Sequence, residues 1–306
     1  CFGWFFRRRR KADGELTAWK GTTTSRGADY HVQDLQDKRR YLAESDYFLP
    51  KDREEEFRLN FQHHALFHAI GNHYVAPIDA SMRMILDVGT GTGIWPIEMA
   101  RLFPQAQVIG VDVDTALFKP ETPDNCFLRV GNVLTGLPFP DQLFSYTHQR
   151  LLVAAITAEN WPRVVRELVR VTRSGGWVEL VEIDNQMQPA GPASIRLQNL
   201  AASVSASMGF DGEAIRHLGD LLKQAGLQTV ETQQIVIPVG EWGGRVGSML
   251  KRDFLTVMHT LQSLYCTRGA LSPTEYERMV QEAASEWESL QACCTFFAVS
   301  GRRGLA

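Results

Sequence analysis

The chain has 306 residues, 44% hydrophobic and 22% charged, with a formal net charge of −3. Such a length and composition suit one large α/β domain, or two smaller ones, with a full buried core. The balance argues against a dedicated nucleic-acid binder, which carries a basic excess. No run reaches the ~18 uninterrupted apolar residues a membrane span needs, and the first residues put aromatics ahead of positive charges, the reverse of a signal peptide.

Residues 1–45 are polar and irregular and read as a poorly ordered N-terminal arm, ahead of a domain over 46–306. Within the arm, Arg7–Lys11 follow Trp4, Phe5 and Phe6. The run reads as a solvated terminal arm, with a nuclear-localisation or anionic-surface patch as the alternative. A helix is predicted from about Asp52 to Ile70. Glu54, Glu55 and Glu56 in its first turn complement the helix N-terminus, and Phe57, Phe61 and Ala65 recur at four-residue spacing along one side.

From Met84 the chain alternates strands and helices. Strands are predicted at Met84–Val88, Val108–Val113, Phe127–Val130, Leu143–His148 and Trp177–Ile183. Helices are expected at Ile94–Phe103 and from an Asn160 cap to about Thr172, where Ser174-Gly175-Gly176 stops the helix. Glu213–Ala225 reads as a helix, and Gln228–Val239 and Thr295–Ser300 as the last two strands. Helices at roughly 245–265 and 273–290 fall between those strands and form a cap insertion over about 241–292. The fold expected is α/β, a doubly wound, mostly parallel seven-stranded sheet. The five cysteines (Cys1, Cys126, Cys266, Cys293, Cys294) include no C-x-x-C pair. Reduced thiols in a cytoplasmic protein are expected, and no metal site: Cys293 and Cys294 are adjacent in a strand and point to opposite faces.

The chemistry starts at Ile85-Leu86-Asp87-Val88-Gly89-Thr90-Gly91-Thr92-Gly93. A strand entering a glycine-rich turn and then a helix brings backbone N–H groups and a helix N-terminus against a ligand. A nicotinamide dinucleotide fold is the rival reading. Its G-x-G-x-x-G pattern fails here, because the third glycine comes one residue early and Ile94 stands in its place. Asp87, two residues before the first glycine, would repel a pyrophosphate and suits a ligand end carrying an ammonium group. Asp112, at the tip of the second strand, suits the hydroxyls of a ribose.

Leu86–Gly93 resembles motif I of class I S-adenosylmethionine-dependent methyltransferases, and Val108–Asp112 resembles their ribose-binding acidic motif. Gly131-Asn132-Val133 resembles the adenine-binding segment, with Asn132 where the family often has Asp. Further features resemble the LaeA-like subgroup of secondary metabolism: Tyr47-Phe48-Leu49-Pro50, Glu55 to Gln62-His63, Ile94-Trp95, Asn125-Cys126, Phe139-Pro140-Asp141 through His148-Gln149-Arg150, Gly175-Gly176-Trp177-Val178-Glu179, and Ile237-Pro238-Val239-Gly240. Ser145 departs from the usual Asp and is read as structural. The resemblance implies S-adenosylmethionine as cofactor, S-adenosylhomocysteine as product, and cofactor contacts from Asp87, Gly89, Thr90, Gly91, Gly93, Asp112, Val113, Asn132, Val133 and His148.

Methyl transfer from a sulfonium is an in-line displacement, so alignment in a dry pocket is the main task, and a base is needed only for a poor nucleophile. His148 and Glu182 are the candidate catalytic residues. In the resembling family the position of His148 more often lines the cofactor, and a salt-bridged strand end is the plain alternative for Glu182. Arg150 suits either an acidic substrate group or packing against the cap. Tyr47, Arg58, Gln62 and His63 lie where the first helix would close over the cofactor carboxylate. The acceptor is expected to be a small natural-product intermediate, apolar if the cap stripe Trp242, Met249, Phe254, Met258 and Tyr265 faces the cofactor rather than the core. The other functional alternative is a LaeA-type regulator acting through protein partners. Whether the chain forms a homo-oligomer stays open.

Overall fold

The computed structural model describes residues 49–305, apart from 51, 115 and 120. The expected arm, with its basic run and Tyr47-Phe48, lies outside the described residues. The first element is helix α1 (Arg53–Ile70), where the Asp52 side chain accepts from Glu55 N at 3.0 Å and Gly71 closes the C-terminus at φ 76°. Strands β1 (Met84–Val88), β2 (Gln107–Asp112), β3 (Cys126–Val130) and β4 (Phe144–Arg150) follow, with helix α2 (Ile94–Leu102) after β1. Helix α3 (Trp161–Val171) leads into β5 (Thr172–Gln188). Then come α4 (Pro192–Ser207), α5 (Leu218–Gln224), β6 (Leu227–Pro238), three helices α6 (Gly244–Thr260), α7 (Gln262–Gly269) and α8 (Pro273–Ser289), and β7 (Cys293–Arg303).

The sheet order is β3-β2-β1-β4-β5-β7-β6. Pairs from β3 through β5 are parallel, and β7 runs antiparallel to both β5 and β6. The central strands β1, β2 and β4 are buried along nearly their whole length because both faces are covered. Ile85, Val108, Tyr146 and Trp177 pack under α2, through Trp95, Ile97, Met99 and Ala100. Leu86, Val88, Ile109, Val178 and Leu180 pack on the opposite face against Val164, Val165, Leu168 and Val171 of α3 and Leu218 and Leu222 of α5. Between β1 and β4 the strand order reverses. In open sheets of this kind ligands bind at the carboxyl ends of the strands beside such a switch point.

The helices between β6 and β7 pack with α4 on the end of the sheet. Phe254, Tyr265, Tyr276 and Trp287 form a buried cluster there with Val181, Ile237 and Phe296. Phe254 and Tyr265 therefore belong to a core, Met258 packs against it, and Trp242 is 36% exposed. The segment expected as one helix over 245–265 is two, broken at Leu261.

Four local expectations differ from the structure. Asn160 does not cap α3; its amide donates to Thr157 Oγ1 at 2.7 Å from a 3-10 turn over Ala158–Asn160. Ser174-Gly175-Gly176 lies within β5 rather than ahead of it, at an irregularity in the pairing with β4. Residues Gly212–His217 form a 3-10 turn before the short α5. Finally, Phe57 is 62% exposed, while Glu55, Arg58 and His63 of the same helix are buried. The polar side of α1 faces inward because its partners are polar, as the site shows.

Ser145 holds the start of β1: its hydroxyl donates to Met84 O at 2.8 Å and accepts from Arg83 N and Met84 N at 3.2 Å. Asn125 ties the end of α2 to the start of β3, its amide donating to Ala100 O and Ala106 O at 2.9 Å. Asn125→Ala strands these acceptors; with about 1–3 kcal/mol per unsatisfied buried group, urea unfolding is expected to show a stability loss of about 2 kcal/mol.

Candidate active site

β1 ends at Val88 and the chain turns back on itself over Gly89–Gly93. Gly89 N and Thr90 N both donate to Val111 O, at 2.8 and 2.9 Å, and Gly93 N donates to Thr90 O at 3.0 Å. Gly91 N donates to Asp112 Oδ2 at 2.8 Å, so the acid at the tip of β2 is locked against the turn. Gly89 has φ 71°, and a Cβ there would lie 2.6 Å from Cδ2 of Leu152, which packs on the turn from the loop after β4. Only glycine serves at such a position.

Asp87 and His148 sit opposite each other on the paired strands β1 and β4. His148 Nδ1 and Asp87 Oδ1 are 2.7 Å apart; the carboxylate accepts, so Nδ1 carries the proton. Thr90 Oγ1 donates to Asp87 Oδ2 at 2.6 Å. Both oxygens of Asp87 are thus engaged inside the protein, where the sequence suggested an ammonium. The His148 ring stacks on Trp95 at 4.0 Å with an interplanar angle of 3°, and Trp95 Nε1 donates to His73 O at 2.8 Å. The cavity beside His148, lined also by His73, Arg150 and Glu179, measures about 10 Å³. That is room for about one water and no acceptor molecule.

Glu182 is fully buried. Its carboxylate accepts from Leu152 N at 2.9 Å and Val153 N at 3.0 Å, fixing the loop that lays Leu152 on Gly89. Burial pushes its carboxyl up to about 8. Glu179, on the other face of β5, accepts from Val75 N and Ala76 N and anchors the segment before β1; burial raises its carboxyl too. Asn132 Oδ1 accepts from Leu134 N at 2.9 Å, so the side-chain oxygen turns into its own loop. Gly131 N donates to Asp112 O at 2.9 Å, bringing that loop to the end of β2, with Val133 buried and Val113 half-buried beside it.

Helix α1 packs against the glycine turn. Thr92 Oγ1 donates to Asn60 Oδ1 at 2.8 Å, and Leu59 approaches Gly91. Arg58 and Gln62 turn instead to Asp253 of α6. His63 bridges Arg150 and Glu98, at 2.7 Å on each nitrogen. A guanidinium only donates, so Nδ1 of His63 accepts and its Nε2–H donates to Glu98. Burial pulls His63 down to about 4, which keeps it neutral. His63, His64 and Glu98 lie close enough to suggest a metal. The tautomer opposes one, because Nε2 of His63 has no lone pair to offer. Asn60, Leu152 and Asp253 were not singled out from the sequence: nothing in their local pattern separates them from ordinary helix or loop positions.

A methyltransferase-domain family model matches residues 85–176, from β1 into β5. The N-methyltransferase sirN of Leptosphaeria maculans is 29% identical over 273 residues, covering 86% of this chain and 96% of that protein. The protein-methionine methyltransferase laeA of Emericella nidulans is 30% identical over 186 residues, covering 60% of this chain and 45% of that protein. The chain is a class I S-adenosylmethionine-dependent methyltransferase, similar to LaeA among the fungal methyltransferases. Its fold is shared with Haemonchus contortus phosphoethanolamine N-methyltransferase 2 in complex with phosphomonomethylethanolamine and S-adenosylhomocysteine, at a TM-score of 0.50 and 15% identity, covering 87% of this chain and 62% of that one. At the carboxyl ends of the strands a buried carboxylate, Asp112, meets a turn with glycine at its closest points, a donor set of the chemistry that a ribose and an amino-acid end would need. When bound, S-adenosylmethionine supplies a methyl group on a sulfonium.

The carboxyl of Glu182 sits higher in the folded protein than its ordinary 4.5. Folding therefore favours its protonated form, and the stability so gained is full below about 4.5 and lost as pH rises through about 8. Glu182→Gln keeps an acceptor for the loop and removes the titration. Melting temperatures between pH 5 and 8.5 are expected to fall less steeply in the variant than in the parent protein.

Proposed function

We propose that this methyltransferase alkylates a nitrogen atom of a small natural-product intermediate. The observation that carries this is the confinement of both candidate bases: the Nδ1–H bond to Asp87 leaves Nε2 of His148 basic, but the cavity it borders has no room for an acceptor. His148 gives its Nδ1 proton to Asp87, stacks on Trp95 and borders a cavity of about 10 Å³. Glu182 is sealed against two backbone amides. With neither group turned to an acceptor, the acceptor must bring its own nucleophilicity, as an uncharged amine does and a weakly acidic alcohol does not. The N-methyltransferase name of the Leptosphaeria relative points the same way.

In this reading Asp112 takes the ribose hydroxyls, the backbone of Gly89, Thr90, Gly91 and Gly93 lies against the amino-acid end, and Val113, Asn132 and Val133 border the adenine. Asp87 and His148 act by bracing the turn from beneath. Among the described residues Phe254 and Tyr265 pack into the core of the cap, so they give no reason to require an apolar acceptor. Among the described residues no helix is long and apolar enough to cross a membrane.

Incubation with methyl-labelled cofactor and a panel of small secondary amines, phenols and alcohols is the direct test. Label is expected on amines at least about tenfold faster than on hydroxyls, and label on phenols alone, or on the protein itself, overturns the nitrogen assignment. Asp112→Ala is expected to raise the calorimetric Kd for S-adenosylhomocysteine about ten- to a hundredfold, from the loss of charge-assisted hydrogen bonds worth about 1.5–3 kcal/mol.

A further inference from the structure

Helix α1 carries two separate sets of contacts. One side of it, through Asn60, Leu59 and Glu56, touches the cofactor turn and the loop behind it. Thr92 Oγ1 donates to Asn60 Oδ1 at 2.8 Å, Leu59 approaches Gly91, and Lys119 Nζ lies 3.3 Å from Glu56 while Lys119 N donates to Thr92 O at 3.3 Å. The adjacent side reaches the cap. Arg58 grips Glu55 through Nε and NH2 at 2.9 and 2.6 Å, and its NH1 donates to Asp253 Oδ1 on α6 at 3.0 Å. Gln62 Nε2 donates to the other Asp253 oxygen at 2.8 Å. Glu55, Arg58 and Asp253 are 1%, 7% and 4% exposed.

The apolar anchoring of α1 lies further along, at Ala65, Leu66 and Ile70. Its first turns have Phe57 outside and the Arg58 cluster inside. A buried pair of this kind contributes little net stability over an apolar seam, because removing the charges from water costs about what their attraction returns. What it fixes is geometry: one guanidinium fork, held on two sides by a carboxylate of its own helix, aims an NH1 hydrogen at Asp253.

We propose that Arg58 and Asp253 are positioning residues for the methyl transfer: they hold the first turns of α1 against the cap helix, and through Asn60 and Leu59 this sets the cofactor turn. The cap then influences cofactor affinity without touching the cofactor. The inference rests on the methyltransferase reading of the turn and is independent of which atom accepts the methyl group.

The test compares Asp253→Asn, Asn60→Ala and the double variant with the parent protein. S-adenosylhomocysteine binding is measured by calorimetry, KM and kcat for S-adenosylmethionine are separated, and hydrogen exchange is followed over residues 53–62. Asp253→Asn is expected to raise the Kd and the cofactor KM about tenfold with kcat changed less than about threefold, and to speed exchange over 53–62 but not over the strands. The double variant is expected to be no weaker than the worse single one, since both act through one helix. Multiplying effects, or wild-type affinity and exchange in Asp253→Asn, overturn the proposal. Should Asp253→Asn not fold, Gln62→Leu removes the other contact to the same carboxylate and is expected to show the same pattern at smaller amplitude; unchanged affinity and exchange in it overturn the proposal equally. A parent protein that does not bind S-adenosylhomocysteine would instead sink the methyltransferase reading itself.

Discussion

Three successive backbone N–H groups of the glycine turn are spoken for by the end of β2. Gly89 and Thr90 share the Val111 carbonyl, and Gly91 takes the Asp112 carboxylate. This folding back of the turn onto the neighbouring strand requires the parallel register in which Val88 stands opposite Val111. A one-residue slip would turn Asp112 and Asp87 to the other faces of the sheet and put an apolar side chain at the tip. The sheet register and the chemistry of the site are therefore one constraint, and the apolar residues on both faces exist to hold it.

The interior next to this turn is rich in carboxylates and poor in cations. Asp87 and Asp112 are both buried, yet the groups hydrogen-bonded to them include an imidazole, a hydroxyl and a backbone amide. Amide dipoles satisfy the oxygens without cancelling the charge. A ligand carrying a sulfonium and an ammonium meets a complementary field in such surroundings. Arg150 is turned to His63, which burial keeps neutral.

All seven strands were legible in the sequence, β1 and β2 as short apolar runs and the others by their place between turns and helices, and motif I was legible because its glycines stand at a close backbone approach. Other features had a weaker signature or none. The inner positions of helix α4, Ala193, Leu197, Leu200 and Val204, do recur at helical spacing, but they are spread thinly among polar and small residues. In α1 the period was present and misleading: the four-residue recurrence of Phe57, Phe61 and Ala65 marks a face that opens outward at Phe57, since the inner face is built for Asp253 and Thr92 rather than for a core. Asn160 had the right residue type for a cap, but the 3-10 turn before α3 consumes its side chain. The chemistry of Glu182 was likewise hidden, because its partners are main-chain amides, which every residue possesses.

The place of β7 has a consequence for how the chain is made. It lies between β5 and β6, yet it follows β6 in sequence with three helices in between. As the polypeptide leaves the ribosome, β6 has no strand to join until those helices and β7 have been synthesised, so a nascent chain holds an unpaired edge for that whole interval. The cap helices thus set a delay in translation as well as a wall in the finished enzyme, and any lengthening of them would prolong the period in which a chaperone has to shield that edge.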